Sequence, residues 1–279
     1  MSLESIDFHG RPAIRLALPG GDTCTIALHG AQVLSWTTAD GTERFYLSPD
    51  AVFDGKSAIR GGTPLCWPQF NARGPLSKHG FARNVAWTVE AGSEDAPHQA
   101  TLSLHDDADT RALWPHAFHA VLRVELASGS LRIELSVTHR GGEPWSFAAA
   151  LHSYLRVDDI GDVRLEGLQG ANRWDSLRDE RQVETAAALR FDSEFDSVYT
   201  AQPAPLRLVQ PSGVLEIAQS ASCTETVVWN PGAALCATLA DMPDDGYRQM
   251  LCVEAARIDE PVLLAPGARW TGWQQLTVR

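Results

Sequence analysis

The sequence predicts an all-β fold, a single large antiparallel β-sandwich or barrel-like sandwich spanning residues 1–279. Three observations predict it. Apolar and polar residues alternate with period two in many short runs, which sends successive side chains to opposite faces of a strand. Turns rich in Gly, Pro and Asp separate those runs. Convincing helical periodicity is scarce, so the strand–helix alternation of a parallel α/β sheet has no support.

The strands read off in order begin at Cys24–Leu28 and Thr101–Leu104. Val121–Leu126 and Leu131–Thr138 follow, joined by Ala127-Ser128-Gly129-Ser130 as a hairpin turn. In the second of these, Leu131, Ile133, Leu135 and Val137 face one way, while Arg132, Glu134, Ser136 and Thr138 face the other. Leu206–Val209, Val214–Ile217, Thr226–Trp229 and Val262–Ala265 come next, and Trp270–Val278 closes the series. Composition assigns a short helix to Arg178–Leu189, although its amphipathic pattern is poor. Ala91–Gln99 and Gln202–Pro205 read as surface loops.

A chain of this length buries a full core. Its 44% hydrophobic and 21% charged residues are those of a globular protein. A net charge of −12 leaves no broad basic face for nucleic acid or an anionic membrane. No apolar run approaches the roughly 20 residues of a membrane-spanning helix. The opening M-S-L-E-S-I-D-F-H-G lacks the basic and apolar regions of a secretory signal. Cys24, Cys66, Cys223, Cys236 and Cys252 form no C-x-x-C pair and lie in apolar contexts, as reduced core cysteines do. The expectation is a cytoplasmic, monomeric protein whose partner is a small molecule.

Functional information concentrates in Ser57–Trp87. Gly61, Gly62, Gly74 and Gly80 alternate there with Pro64, Pro68 and Pro75, which pins the backbone. The same segment holds Arg60, Arg73, Lys78, His79 and Arg83 in an otherwise acidic chain. One phosphate or carboxylate suits such a cluster; Arg60 and Arg83 in particular are planar, permanently charged donors. Either arginine would alternatively serve as the structural partner of an aspartate. No nucleotide-binding glycine motif and no H-x-H or H-E-x-x-H metal pattern occurs.

Among nine histidines, His9, His98, His105 and His139 sit in turn-like or polar alternating positions and read as solvated. His29 reads as structural, and His116 and His119, flanking Phe118, as core packing. His152 differs, being a polar ring inside A-A-A-L-H-S-Y-L-R-V. It is either a buried histidine bonded to a carbonyl or a general acid. Glu254 in Q-M-L-C-V-E-A-A-R-I is either salt-bridged, with Arg257 as the nearby partner, or tuned in pKa. One such histidine and one such carboxylate are a candidate acid–base pair.

Seven segments in order make the chain resemble the hexose-6-phosphate mutarotases (glucose-6-phosphate 1-epimerases) of the aldose 1-epimerase superfamily. They are I-R-G-G-T-P-L-C-W-P-Q-F from Ile59, H-G-F-A-R from His79, W-P-H-A-F from Trp114 and L-H-S-Y-L-R-V from Leu151. E-F-D-S-V-Y from Glu194, V-V-W-N-P from Val227 and D-M-P-D-D-G-Y-R-Q-M-L-C-V-E from Asp241 complete them. The resemblance implies a galactose mutarotase-like supersandwich that interconverts the anomers of a hexose 6-phosphate, glucose 6-phosphate first, with no cofactor and no metal. It implies His152 as general acid and Glu254 as general base, with Arg60, Arg83 and Asp196 at the substrate and His79 on a hydroxyl or ring oxygen. Lys78 stands where the family has Gln, and is carried as a substrate contact. Gly232 replaces an aromatic.

Unperturbed pKa values of about 4.3 and 6.5 would leave Glu254 ionised and His152 protonated between them. A nearby carboxylate would raise the histidine further. Two rivals stay open: an aldose 1-epimerase for unphosphorylated galactose or glucose, and a carbohydrate-binding protein without catalysis.

Overall fold

A computed structural model describes residues 3–91 and 98–279. β1 (Glu4–Phe8), β2 (Arg11–Ala17), β3 (Thr23–Ala27) and β4 (Val33–Thr37) form a four-stranded antiparallel sheet in chain order. The turn between β1 and β2 is His9-Gly10, both at positive φ (52° and 76°), the geometry that matches strand twist in a two-residue hairpin.

Eight further elements lead through the middle of the chain: β5 (Leu65–Cys66), β6 (Thr88–Val89), β7 (Gln99–His105), helix α1 (Ala108–Leu113), β8 (Phe118–Ala127), β9 (Ser130–His139), β10 (Trp145–Leu151) and β11 (Tyr154–Arg156). After them come β12 (Arg164–Glu166), β13 (Asn172–Asp175), β14 (Glu180–Val183), β15 (Ala188–Leu189), β16 (Phe195–Thr200), β17 (Leu206–Gln210) and β18 (Gly213–Gln219). β19 (Glu225–Asn230), helix α2 (Gly232–Cys236), β20 (Met250–Leu264) and β21 (Arg269–Val278) end it.

Two large antiparallel sheets result. One runs β15-β12-β17-β18-β21-β9-β8-β7-β6; the other runs β14-β13-β16-β19-β20-β10-β5, with β11 also on β20. The all-β sandwich expected from the alternation is therefore borne out. Leu131, Ile133, Leu135 and Val137 of β9 share one apolar cluster with Val228, Leu251 and Val253 of the facing sheet. The hairpin turn expected at 127–130 joins β8 to β9, with Ala127 paired to Ser130.

Two expectations are corrected. Arg178–Leu189 is not helical: Glu180–Val183 is the exposed edge strand β14, paired through Asn172↔Val183, and Ala188–Leu189 pairs with β12. An edge strand exposed on both faces shows no period of its own, so composition misleads there. His139 is buried at 1% exposure, stacked 4.7 Å from Trp145. It continues the odd-numbered register that carries Leu131 to Val137 inward. His9, His98 and His105 are exposed as expected. Residues 92–97 of the expected loop at 91–99 lie outside the described residues.

β20 positions the functional face. Met250–Ala256 is buried without interruption, because both sides of the sheet are covered there. Leu251 and Val253 point into the sandwich. Cys252 and Glu254 point outward, on the face shared with their partners Trp229 and Val227 and, one strand further, Asp196 opposite Trp229.

Candidate active site

β10 and β11 both pair with β20, at Leu151↔Ala255 and Tyr154↔Cys252. Between them His152 and Ser153 leave the ladder. The Ser153 N–H turns back to Leu151 O at 2.9 Å, and the His152 N–H donates to Pro64 O at 3.0 Å. This interruption brings His152 Nε2 to 3.3 Å from Glu254 Oε1. Both side chains are buried, and His152 Nδ1 and Glu254 Oε2 have no hydrogen-bond partner. The pairing of Glu254 with Arg257 is not realised. Arg257 turns instead to Thr224 Oγ1 at 2.7 Å and Glu260 at 3.5 Å.

The Gly/Pro-rich segment supplies the opposite wall. His79 has φ 68°, and its Nδ1 accepts the Asn71 N–H at 3.2 Å. The proton therefore resides on Nε2, making His79 a donor. Burial keeps the ring neutral by pushing its pKa far down, with His152, Arg83, Lys78 and Arg60 acting in the same direction. The next residue, Gly80, has φ 73°, and a Cβ there would lie 2.2 Å from Trp67 O. Gly80→Ala is expected to cost about 1–3 kcal/mol and to lower Tm by several degrees. Thermal denaturation checks this; an unchanged Tm would show that the loop tolerates a side chain at this turn.

The cations are not equivalent. Arg60 donates from Nε and Nη2 to Asp241 Oδ1 at 3.1 and 3.0 Å, and from Nη1 to the Tyr154 hydroxyl at 3.0 Å. Its aspartate partner is thus real, although it still lines the cleft. Arg83 donates to Lys78 O at 2.9 Å, and its Nε is buried without a partner. Among the described residues neither Arg83 nor Lys78 has a carboxylate partner. Arg73 lies outside the cleft, its guanidinium 4.1 Å over Trp174.

Burial reverses the expected ionisation of the central pair. It lowers His152 to about 3, reinforced by Arg83, Arg60 and Lys78. Burial also pushes Glu254 well above the ordinary carboxylate range; the Asp196 charge adds to this and Arg83 opposes it. The expectation that the carboxylate raises the histidine is overturned, because desolvation and three cations disfavour the imidazolium. Both shifts work against ionisation, burial opposing the imidazolium of His152 and the carboxylate of Glu254. Asp196 itself is raised by burial, against Ser176, Lys78 and Arg73.

A cleft of about 540 Å³ collects these groups, a volume usual for small-molecule sites. His152, Glu254, Arg60, Lys78, His79, Arg83 and Asp196, all singled out from sequence, line it together. Sequence reasoning missed Tyr154, Trp229 and Asp241. Tyr154 stacks on His152 at 4.9 Å and 12°, and Trp229 stands edge-on to both rings at 6.0 Å. Their signal lay in the L-H-S-Y, V-W-N-P and D-M-P segments. Gly232 does not line the cleft; at φ 61° its Cβ position lies 2.5 Å from Glu194 N, which leaves no room for the aromatic.

A hollow of about 630 Å³ on the same face is larger. Its Arg173, Arg181 and Arg257 each face a carboxylate, so it offers no unpaired charge. Among the described residues one group has metal-ligand spacing, His152, Cys252 and Glu254, within 4.8 Å. Burial holds the Cys252 thiol protonated, and Arg60, Lys78 and Arg83 surround the trio, so a dication fits it poorly. No described helix is long and apolar enough to cross a membrane.

The chain is similar to known proteins in both sequence and fold. The sequence model of the family described as aldose 1-epimerase matches residues 12–277. A Cenchrus ciliaris protein named "Putative glucose-6-phosphate 1-epimerase" is 36% identical over 271 residues, covering 92% of this chain and 82% of that one. An Escherichia coli K12 protein of the same name is 35% identical over 242 residues, covering 85% and 80%. The crystal structure of a "putative mutarotase" from Salmonella typhimurium superposes with a TM-score of 0.89 at 31% identity, covering 99% of this chain and 93% of that one. The supersandwich implied by the sequence resemblance is the fold observed.

Proposed function

The chain belongs to the aldose 1-epimerase family, and from that membership we propose that it interconverts the α and β anomers of a hexose 6-phosphate, glucose 6-phosphate first. One observation carries the reading: a buried proton-sharing pair, His152 and Glu254 at 3.3 Å, lies in a cleft that also holds the unpaired cations Lys78 and Arg83. The names of the curated relatives support the phosphate ester.

Glu254 takes the proton from the C1 hydroxyl while His152 delivers one to the ring oxygen O5, and the C1–O5 bond opens to the aldehyde. Rotation of the aldehyde end by about half a turn presents its other face. Reversed proton transfers close the ring as the other anomer. No electrons leave the sugar and no atom is lost, so the pair ends as it began. Ring opening requires the shared proton on His152 and Glu254 as the carboxylate, each facing a substrate oxygen. His79 donates from Nε2 to a sugar oxygen, Asp196 accepts from hydroxyls, and Arg60, held by Asp241 and Tyr154, hydrogen-bonds the sugar with its charge already balanced. Arg83 and Lys78 take the phosphate. The chain works as one domain and as a monomer. Five buried cysteines without disulfides support a cytoplasmic setting.

Selectivity tests this reading against its rivals. Polarimetry should show a higher kcat/KM for glucose 6-phosphate than for glucose, and added salt should weaken only the former. Equal values would indicate an aldose 1-epimerase without phosphate preference; no turnover of either would indicate a binding protein.

The pH profile follows from the inverted pair. Below the acid limb a second proton occupies the pair and no base remains; that limb belongs to His152, lowered to about 3. Above the alkaline limb the last proton is gone and no acid remains; that limb belongs to Glu254, displaced upward. Both are properties of the coupled pair. Glucose is the control substrate, since phosphate ionises near pH ~6. With glucose, kcat/KM should hold a plateau through the ordinary carboxylate range of about 4.3. An acid limb near the ordinary histidine value of about 6.5 would contradict burial as the dominant influence.

A further inference from the structure

We propose that Gln274, acting with Ser153 and Thr63, is the positioning element of the acid–base pair; this rests on the roles of His152 and Glu254 given above. Facing residues of an antiparallel ladder exchange two backbone hydrogen bonds or none. Val253 and Ser153 exchange only one: the Val253 N–H reaches Ser153 O at 3.2 Å, while the Ser153 N–H has turned back to Leu151. The departure that aims His152 at Glu254 therefore deprives the buried Val253 carbonyl of its strand partner. A buried carbonyl without a donor is destabilising.

Gln274 supplies the donor from the other sheet. It sits on β21 opposite Ile133, is 1% exposed, and reaches across the sandwich core. Its Nε2 donates to Val253 O at 2.9 Å, and its Oε1 accepts the Ser153 hydroxyl at 2.6 Å. Ser153 Oγ, having donated there, accepts from Thr63 Oγ1 at 3.1 Å. The hydrogen bonds run in one direction, Thr63 to Ser153 to Gln274 to the Val253 carbonyl, and each side-chain group is satisfied. Ser153 follows His152, Val253 precedes Glu254, and Thr63 precedes Pro64, whose carbonyl holds the His152 N–H. One buried polar chain thus ties together the backbones behind the acid, the base and the Arg60 loop. An apolar side chain at 274 would pack beside Ile133 and Leu276 but would leave all three unlinked. Such networks are tolerated in a core only when fully satisfied, and they then fix a single geometry.

Gln274→Met keeps the length and removes the bonds; Ser153→Ala removes the central link. Misplacement of a catalytic group by about 1 Å can cost 10²-fold, so kcat should fall about 10- to 100-fold with KM for glucose 6-phosphate nearly unchanged. The pH limbs on glucose should also move toward their ordinary values as the pair loosens and hydrates. Thr63→Val should share the defect, and Thr63→Ser should restore most of kcat. That comparison decides if Gln274→Met fails to fold. Folded variants with unchanged kcat and pH limbs, or Thr63→Val indistinguishable from Thr63→Ser, would overturn the proposal. Glu254→Gln run alongside separates the two claims. If it is inactive while Gln274→Met is unaffected, only the positioning role falls; if it is fully active, the acid–base reading itself falls.

Discussion

Glu254→Gln and His152→Asn should each lower kcat by about 10²-fold or more, with KM for glucose 6-phosphate changing far less. In the proposed mechanism both groups handle the proton in flight, whereas Lys78, Arg83, Asp196 and His79 hold the rest of the molecule. Glutamine keeps the shape at position 254 but cannot take the C1 hydroxyl proton, and asparagine cannot deliver one to O5. Because burial disfavours the ionised form of Glu254, the neutral glutamine is tolerated there and the Glu254→Gln variant should fold normally. A folded Glu254→Gln with near wild-type turnover would remove the carboxylate from the mechanism.

Arg83→Ala should lower kcat/KM for glucose 6-phosphate by about 10- to 150-fold, the equivalent of a charge-assisted hydrogen bond of roughly 1.5–3 kcal/mol. Turnover of glucose should be nearly unaffected, since that sugar brings no charge. Arg60→Ala should behave differently. Its charge is balanced by Asp241 and its third contact is the Tyr154 hydroxyl, so its loss should affect both sugars alike and leave selectivity in place. Steady-state kinetics of both variants on both sugars reads this directly. If Arg60→Ala alone erased the preference for the phosphate ester, the division of labour among the cations would be reversed.

Much of the fold was legible because period two is a local signal: β9 shows it from Leu131 to Val137, and the hairpin into it was read from Gly129. The signal fails where burial is absent or doubled. β14 is exposed throughout and carries no alternation, while β20 from Met250 to Ala256 is buried on both faces and reads as a plain apolar run. That same run made Glu254 visible, as a carboxylate out of place. The site's long-range partnerships were not legible. Arg60 and Asp241 lie 181 residues apart, and no spacing announces their bond. Tyr154 and Trp229 look like core aromatics until the strand pairing sets them beside His152. The inversion of the pair's pKa values likewise needs burial in three dimensions, since sequence supplies only the ordinary values.

Exchange NMR of [1-¹³C]glucose 6-phosphate in D₂O tests the central claim most directly. With the wild-type protein, α–β exchange should exceed the spontaneous rate in proportion to protein concentration, and the hydrogens on C1 and C2 should stay protium, because only hydroxyl and ring-oxygen protons move. Glu254→Gln should lower the protein-dependent exchange by about 10²-fold or more. Exchange no faster than in buffer, or deuterium entering at C2, would contradict the account.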